Sequence, residues 1–268
     1  MKTCLNLFVL MLLGAAAFAQ SAANDESTIE QYRNQLAQQP DNSDVISRLA
    51  QKLEQQGRWR DAMPLLERLI AFEPRNSAAL YQLGSMKSWE PAERKKALDL
   101  LRRACATSNN NPEYCSSYAE VLSWSIESRA EAISNFQQIV SAYPDNVSAR
   151  LRLAQILSWD NASRGNALKV YEQGLQLDPR NVDLLIASAE VLSWSNNTRT
   201  EALARYNQAL QQKPEDARAL NGKAQLLAWK GNADEAMQLY QQVLDKDTQN
   251  PAALRGKAEI LNWRAHYS

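Results

Sequence analysis

Residues 189–206 read AEVLSWSNNTRTEALARY and contain most of a pattern that recurs along the chain. A small residue, Ala189, precedes Trp194 by five positions, and Arg199 follows that tryptophan by five. The stretch closes with Ala202 and, four positions later, Tyr206. Six tryptophans repeat at steps of 35, 35, 35, 35 and 34 residues: Trp89, Trp124, Trp159, Trp194, Trp229 and Trp263. A fixed period of this length predicts an array of similar supersecondary units, each packed on its neighbours.

Other positions keep the same period. The small residue before the tryptophan recurs as Ala50, Gly84, Ala119, Ala154, Ala189, Ala224 and Ala258. A second small residue recurs as Ala62, Ala97, Ala132, Ala167, Ala202 and Ala236. Four residues after it come Leu66, Leu101, Phe136, Tyr171, Tyr206 and Tyr240. Because glycine is scarce and Ala, Leu, Gln and Glu are abundant, each period predicts a pair of helices.

The boundaries between periods carry helix-start signals. Five of them contain a proline: Pro40, Pro74, Pro144, Pro179 and Pro214. An Asn or Asp suited to cap a helix N-terminus is found at every boundary: Asn42, Asn76, Asn111, Asn146, Asn181, Asp216 and Asn250. The chain therefore divides into units of about 40–73, 74–108, 109–143, 144–178, 179–213 and 214–247, followed by a final helix at 250–263.

The second-helix segments EALARY (201–206) and DEAMQLY (234–240) resemble the tetratricopeptide repeat family, whose pattern has alanine followed by an aromatic residue and a proline at the end of the unit. The resemblance covers residues 27 to 263. It implies an all-α fold, an α-solenoid wound as a right-handed superhelix. Six tandem helix pairs would follow a leading half-repeat and precede a trailing capping helix. It also implies a concave groove that holds a peptide or protein partner.

Four consecutive units depart from the family pattern by one extra residue in the loop within the helix pair, where the family has a glycine. In these units an arginine lies five residues after the tryptophan: Arg94, Arg129, Arg164 and Arg199. A positive charge at a helix N-terminus opposes the helix dipole. Stacking of the guanidinium on a neighbouring indole would offset this cost, and we expect the two groups within about 6 Å.

The recurrent tryptophans have two interpretations. They lie about 200° around the helix from the core leucines, which places them off the main core face. Packing between adjacent repeats would leave the indoles largely inaccessible. A ladder of indoles along the groove would instead leave their faces open to stack on sugar rings. In that case Glu120 and Glu190, four residues before a tryptophan, would hydrogen-bond sugar hydroxyls, and Arg129, Arg164 and Arg199 would line the site.

Composition argues against several classes of function. The 30 basic and 30 acidic residues balance, whereas a nucleic-acid surface needs clustered positive charge. The single histidine, His266, makes a Ser-His-Asp or Cys-His catalytic device improbable. The chain has no CxxC, HExxH or phosphate-binding glycine loop. We therefore expect a binding protein that is not an enzyme and needs no cofactor or metal.

The first residues predict export. Lys2 precedes an apolar run from Leu5 to Ala17, and residues 17–19 (AFA) have the form of a cleavage site. We expect a signal peptide at 1–19, a short disordered segment at 20–27, and a solenoid at 28–268. About 13 apolar residues are too few to span a bilayer, so no membrane span is expected after cleavage.

Two cysteines remain after the predicted cleavage. Cys105 and Cys115 lie on either side of the connection between two units, at the end of one helix and the start of the next. In an oxidising compartment an even pair favours a disulfide. The alternative is a pair of buried thiols in core positions. The expected function is a periplasmic or secreted scaffold that binds a peptide or protein, or alternatively a polysaccharide-binding module of exopolysaccharide export or assembly.

Overall fold

The computed structural model describes residues 25–267, and all regular structure in that range is helical. It divides into two compact units, and the boundary between them in the chain lies between Leu122 and Ser123. The first unit contains α1 (25–38), α2 (Ser43–Gln55), α3 (Trp59–Phe72), α4 (Ser77–Ser88), α5 (Arg94–Thr107) and almost all of α6 (Pro112–Ser123). Its core includes Ile29, Ile46, Leu66 and Leu80, all fully buried.

The second unit continues the alternation of first and second helices. It contains α7 (Arg129–Ala142), α8 (Val147–Ser158), α9 (Arg164–Leu177), α10 (Val182–Ser193), α11 (Arg199–Gln212), α12 (Ala217–Trp229), α13 (Ala233–Leu244) and α14 (Pro251–Tyr267). Each helix contacts the next, and the first helices also contact one another in the order α8, α10, α12 and α14. These contacts make one continuous layer of first helices, and the all-α tetratricopeptide-type solenoid predicted from the sequence is confirmed.

The predicted helix caps are confirmed. The side chains of Asn42, Asn76, Asn146, Asn181 and Asn250 each accept a hydrogen bond from a backbone N–H three residues on. The Asn111 and Asp216 side chains likewise accept backbone N–H groups at the starts of α6 and α12. Each such bond satisfies a donor that the helix itself cannot, which fixes where every first helix from α2 onward begins.

Loops within the helix pairs are of two kinds. The short ones contain Gly57 and Gly231, at φ +71° and +87°, a region that favours glycine. Three of the longer loops instead form a single 3₁₀ turn, at Pro91–Glu93, Asn161–Ser163 and Asn196–Thr198. The extra residue therefore removes the need for glycine, and an arginine begins the next helix in each case.

The connection between α5 and α6 lacks the boundary proline. Asn109 and Asn110 occupy the left-handed region there, at φ 56° and 59°, which asparagine tolerates better than most residues. A disulfide joins Cys105 to Cys115 across the turn, with their Cα atoms 4.7 Å apart. The two cysteines thus close a loop at the one repeat boundary that carries consecutive asparagines.

Three expectations need correction. The disordered segment predicted at 20–27 is helical from residue 25, because Asp25 pairs with Lys52 at 2.5 Å and Glu26 with Arg58 at 3.1 Å. The last helix extends to residue 267 instead of 263. Leu261 lies two residues before Trp263, where the sequence predicts a core leucine, but it is 52% exposed, since no described element packs on that face of α14. The predicted signal peptide at 1–19 lies outside the described residues.

Candidate binding groove

The recurrent tryptophans are exposed. They range from 38% exposure at Trp124 to 77% at Trp89. Between these values lie the other four: Trp159, Trp194, Trp229 and Trp263. Burial between repeats would have made them largely inaccessible, so that interpretation does not describe these side chains. The prediction that they lie off the core face is confirmed.

Three arginines lie on three of these indoles. The guanidinium carbon lies 5.1 Å from the ring centroid for Arg129 and Trp159, 3.8 Å for Arg164 and Trp194, and 4.5 Å for Arg199 and Trp229. In each pair the indole belongs to the following repeat, thirty residues further along the chain. We call these three pairs the ladder. Each pair of the ladder joins two consecutive repeats of the second unit. The expected stacking within about 6 Å is confirmed for these three pairs.

The ladder arginines are half-buried. The Nε atoms of Arg129 and Arg164 are shielded from solvent and have no hydrogen-bond partner. Leaving such a donor unsatisfied costs free energy. The attraction between the guanidinium and the indole face, about 0.5–1 kcal/mol for a partly exposed pair, opposes that cost.

The second unit also contains a groove lined by the first helices α10, α12 and α14. Its volume is about 720 Å³. Tyr206 and Tyr240, from the second helices behind, reach through to its floor. The polar part of the wall comes from Glu190, Arg218, Asn221, Gln225, Asn250, Arg255 and Glu259. An open groove with many polar groups suits an extended chain better than a compact apolar ligand, which favours an enclosed apolar pocket.

Two glycines make room for the tyrosines on the floor. A Cβ atom at Gly222 would lie 2.3 Å from Cζ of Tyr206, and one at Gly256 would lie 2.1 Å from Cζ of Tyr240. Both glycines lie sixteen residues after their tyrosine. The missing side chains therefore allow two phenol rings to pass between the first helices to the groove.

The tyrosine hydroxyls stay protonated well above neutral pH. Burial raises the pKa of Tyr240 to about 12, and the Glu259 carboxylate adds to the shift while Arg255 opposes it. Burial and the Glu190 carboxylate also raise the pKa of Tyr206. The groove thus keeps two phenolic O–H groups, which can donate to an acceptor on a ligand.

Asn221 and Asn250 fix each other's orientation in the groove. The Asn250 Oδ1 atom accepts the backbone N–H of Ala253, and it also accepts the Asn221 Nδ2 group at 3.1 Å. Asn221 must therefore present its amide nitrogen to Asn250. Its own Oδ1 atom is shielded and has no hydrogen-bond partner. The hydrogen bond thus fixes the orientation of two side chains of the groove wall, while the Asn221 Oδ1 atom stays out of contact with solvent.

Charges of both signs line the groove. Arg218 is held between Asp216 and Asp183, with N–O distances of 3.1 and 2.7 Å. Burial raises the pKa of Glu190, and the positive charge of Arg218 opposes part of that shift. The side chain of Glu190 is nevertheless reachable from solvent. This carboxylate has lost part of its hydration but is still open to the groove. A cation or an N–H donor of a ligand would therefore stabilise its charged form.

The structure brings together only part of the predicted site. Glu190 and Trp194 share the groove, and Trp229 and Trp263 line a smaller cavity next to it. Trp159 belongs to the ladder, while Trp89 lies in the first unit beside Trp59. Trp124 is the least exposed of the six, and Glu120 is half-buried on α6.

Sequence reasoning missed Arg218, Asn221, Asn250 and the two floor tyrosines as groove residues. A signal for the tyrosines exists in the repeats. Gly222 and Gly256 interrupt first helices two residues before the recurring small residues Ala224 and Ala258, and glycine in a helix interior needs a packing reason. Asn250 was predicted only as a helix cap and Asn221 was not singled out, because their contact in the groove is a tertiary property.

Within residues 25–267 no cluster of His, Cys, Asp or Glu side chains could hold a metal ion. Over the same range, no helix combines the length and apolar character that spanning a bilayer requires.

Comparison with known proteins places the chain in a family. The family model described as tetratricopeptide repeat matches residues 18–85 and 194–260, together half of the sequence. A comparison with curated proteins gives no significant match.

Solved structures share the fold at low identity. PilW, a type IV pilus biogenesis factor, superposes with a TM-score of 0.68 at 17% identity, covering 80% of this chain and 97% of PilW. A tetratricopeptide repeat protein from Parabacteroides merdae gives 0.67 at 14% identity, covering 90% and 94%. YrrB, a repeat protein with a peptide-binding site, gives 0.56 at 17% identity, covering 73% and 98%. The chain therefore belongs to the tetratricopeptide repeat family, whose stacked helix pairs present extended binding surfaces.

Proposed function

We propose that this protein is an exported, non-enzymatic scaffold that holds an extended peptide segment of a partner protein in the groove of the second unit. The observation that carries the proposal is the groove itself, an open space of about 720 Å³ along three first helices whose wall presents charged and polar side chains and two tyrosines. A peptide backbone offers N–H and C=O groups at regular intervals, so it can hydrogen-bond to such a wall whatever its sequence. Membership of a repeat family that uses such grooves supports the same proposal.

The charges and phenols of the groove add selectivity to this backbone contact. Glu190 and Glu259 favour basic groups, while Arg218 and Arg255 favour acidic ones. Tyr206 and Tyr240 provide donors for backbone carbonyl groups. A ligand with side chains of alternating charge would match this wall better than a uniformly charged one. The solved structure of YrrB is described as having a peptide-binding site, which is consistent with this use of the fold.

A peptide library tests the proposal. Random twelve-residue peptides with a fluorescent label are titrated with the protein, and binding is followed by fluorescence polarisation. Gln225→Ala removes an exposed amide from the groove wall, and we expect binders to lose about 5- to 10-fold in affinity, the value of one hydrogen bond. Asn207→Ala, on the exposed face of α11, is the matched control and leaves affinity unchanged. Absence of any binder, or equal affinity for both variants, argues against the groove as a peptide site.

Export is part of the proposal and rests on two features. The first nineteen residues have the order of charge, apolar run and small-residue cleavage site that is typical of secretory signals. The disulfide between Cys105 and Cys115 suits an oxidising compartment such as the periplasm or the extracellular space. N-terminal sequencing of the protein from its host tests this, and we expect the mature chain to begin at Gln20. A mature chain that begins at Met1 contradicts export by cleavage.

The exposed tryptophans favour a second candidate, binding of a polysaccharide. The six recurrent indoles expose 38% to 77% of their surface, at one indole per repeat. Aromatic faces attract the C–H bonds of sugar rings, so a regular series suits a polymer. Titrating intrinsic fluorescence with neutral and acidic oligosaccharides tests this. Quenching that Trp159→Leu and Trp194→Leu reduce supports the candidate, and absence of quenching by any glycan ends it.

A further inference from the structure

The last three first helices share one apolar face. Its three residues have the spacing Leu-x3-Ala-x2-Leu: Leu185, Ala189 and Leu192 in α10, Leu220, Ala224 and Leu227 in α12, and Leu254, Ala258 and Leu261 in α14. In α10 and α12 none of the three is more than 5% exposed. There the face packs against the second helix of the same repeat, α11 or α13. The same residue types in α14 therefore form a surface that fits a second helix.

In α14 this face is open. Leu254 is 44% exposed and Leu261 is 52% exposed, with the exposed Ala258 between them. The three side chains lie within about 60° of one another around the helix, so they form one stripe. None of them lines the groove, which α14 borders with other residues. We call these three residues the α14 face.

The protein itself shows twice which kind of helix covers such a face. The second helices present alanine, tyrosine four residues later, and a small or branched apolar residue three after that: Ala202, Tyr206 and Ala209 in α11, and Ala236, Tyr240 and Val243 in α13. All six are at most 3% exposed. An amphipathic helix with this spacing would bury the two leucines of the α14 face in the same way.

Charged residues beside the α14 face favour an acidic helix. Arg255 lies about 100° around the helix from Leu254 in one direction, and Lys257 lies about 60° in the other. The face is thus flanked by a basic side chain on each side. The second helix that covers the corresponding face of α12 begins with two acidic residues, Asp234 and Glu235. Opposite charges around an apolar contact select the partner and its orientation.

A second copy of the chain fits this face less well. Among the described second helices, only α1 has no first helix of its own repeat before it. The repeat spacing places Gln35 of α1 where Leu69 and Ala209 are buried in other second helices, and burying an amide there costs free energy unless it finds a partner. Two α14 faces packed together would bring the flanking residues Arg255 and Lys257 of both copies close to each other, and like charges repel.

We propose that the α14 face docks an acidic amphipathic helix of a partner protein, which takes the place of a second helix beside α14. The inference goes beyond the proposed peptide function, because the groove holds an extended segment and the α14 face holds a helix on another side of α14. The packing of α11 on α10 and of α13 on α12 is the model for the contact.

A peptide with the sequence of residues 232–247 serves as the probe, since it carries the second-helix pattern and acidic residues. A lactam bridge replaces Gln238 and Gln242, which are exposed in the native helix. The bridge holds the peptide helical, because an isolated helix of this length is marginal in water. The labelled peptide is titrated with the full protein and followed by fluorescence polarisation, and we expect saturable binding. A second peptide with Tyr240→Gln should bind more weakly.

Variants of the protein locate the contact. Leu261→Asp should weaken peptide binding at least about 10-fold, the effect expected when a leucine contact is replaced by a charge. Its free energy of unfolding should stay unchanged, because Leu261 is exposed in the native protein. Leu177→Asp is the matched control, since Leu177 is 44% exposed at the end of α9, and it should leave binding unchanged. Lys257→Glu should weaken binding about 3-fold at low ionic strength.

Several results would overturn the inference. Absence of binding would do so, as would equal affinity for the native protein and Leu261→Asp, or an equal loss in Leu177→Asp. Sedimentation of the native protein checks the other occupant. A dimer that Leu261→Asp converts to monomers would assign the α14 face to a second copy.

The same titrations separate this inference from the proposed function. Gln225→Ala, which alters the groove wall, should leave binding of the helical peptide unchanged. If Gln225→Ala weakens it and Leu261→Asp does not, the helix binds in the groove and the α14 face is not a docking site. If no extended peptide binds the groove but Leu261→Asp abolishes helix binding, the α14 face is the docking site and the peptide function is wrong.

Discussion

The second helices of the two units fill the same core position with different residues. In the first unit the position holds Leu66 and Leu101, both fully buried. In the second unit it holds an aromatic residue in every repeat: Phe136, Tyr171, Tyr206 and Tyr240. A leucine ends within the core, whereas a tyrosine is long enough to carry a hydroxyl beyond it. The same repeat framework therefore makes a closed core in one unit and a groove with a polar floor in the other.

The residues that face these positions differ accordingly. In the first unit a Cβ atom at Gly84 would lie 2.8 Å from Cγ of Leu101. In the second unit, Gly222 and Gly256 face the far ends of rigid tyrosine rings at 2.3 and 2.1 Å. A leucine can change rotamer to make room, but a buried phenol ring has no comparable freedom. An added side chain should therefore be tolerated less well at Gly222 and Gly256 than at Gly84.

Contacts near the loops differ as well. At the position where α5, α7, α9 and α11 begin with an arginine, α3 begins with Trp59. Arg60 lies on that indole, with its guanidinium carbon 4.8 Å from the ring centroid. This pair joins adjacent residues of one helix and links no repeats. The first unit also has a covalent link, because the disulfide between Cys105 and Cys115 joins two consecutive repeats.

The largest effect is expected from removing that covalent link. The disulfide closes a loop of ten residues, so Cys105→Ser combined with Cys115→Ser should lower the free energy of unfolding by about 2.7 kcal/mol. Hydrogen exchange measures the change by region, and protection should fall in α4 to α6 while α10 to α13 keep theirs. Two titratable thiols in denatured, unreduced protein would contradict the disulfide, and an even loss of protection would contradict the contrast between units.

Replacing the glycines tests the contrast between leucine and tyrosine. Gly256→Ala and Gly222→Ala should each destabilise the protein by about 2 kcal/mol, because the new methyl group overlaps a ring that cannot move aside. Gly84→Ala should change stability by less than about 1 kcal/mol, because a helix gains from alanine and Leu101 can adjust. Urea unfolding of the three variants measures the difference. Equal costs at all three positions would show that the rings are as adaptable as the leucine.

A smaller effect is expected from the ladder. Arg164 and Trp194 form its closest pair, at 3.8 Å, and a double-mutant cycle with Arg164→Ala and Trp194→Ala should give a coupling free energy of about 0.5–1 kcal/mol. Denaturant unfolding measures each corner of the cycle. Arg180→Ala, on an exposed arginine next to α10, serves as the control and should show no coupling to Trp194. A coupling of zero would mean that the ladder positions these side chains without stabilising the fold.

The raised pKa values of the floor tyrosines should make the free energy of unfolding depend on pH in the alkaline range and not near neutral pH. The pKa of Tyr240 is raised to about 12, whereas an unfolded tyrosine ionises near 10. The stability that Tyr240 contributes is therefore complete below pH 10 and falls as pH rises from about 10 to 12, because only the unfolded state releases the proton. Unfolding at pH 9 and pH 11 measures this, with Tyr240→Phe as comparison. The same alkaline loss in Tyr240→Phe would assign it to another group.

Much of the fold was predictable because the same sequence signals recur in every repeat. One Asn or Asp at each boundary predicted seven helix starts, and each accepts the expected backbone N–H. The extent of α1 was missed, since Asp25 and Glu26 are ordered by partners on α2 and α3 that no local pattern reveals. The sequence predicted that each ladder arginine stacks on an indole, but it did not reveal that the indole belongs to the next repeat.

The sequence by itself determined the family, the number of helices and the face of each tryptophan. Those properties follow from periodicity and helix geometry, which act over a few residues at a time. Tertiary structure decided which groups meet: Tyr240 with Gly256, Asn221 with Asn250, and each ladder arginine with the indole of the next repeat. It also decided that Leu254 and Leu261 of α14 are exposed. These contacts depend on how neighbouring repeats stack, and stacking is set by the packing of whole helices.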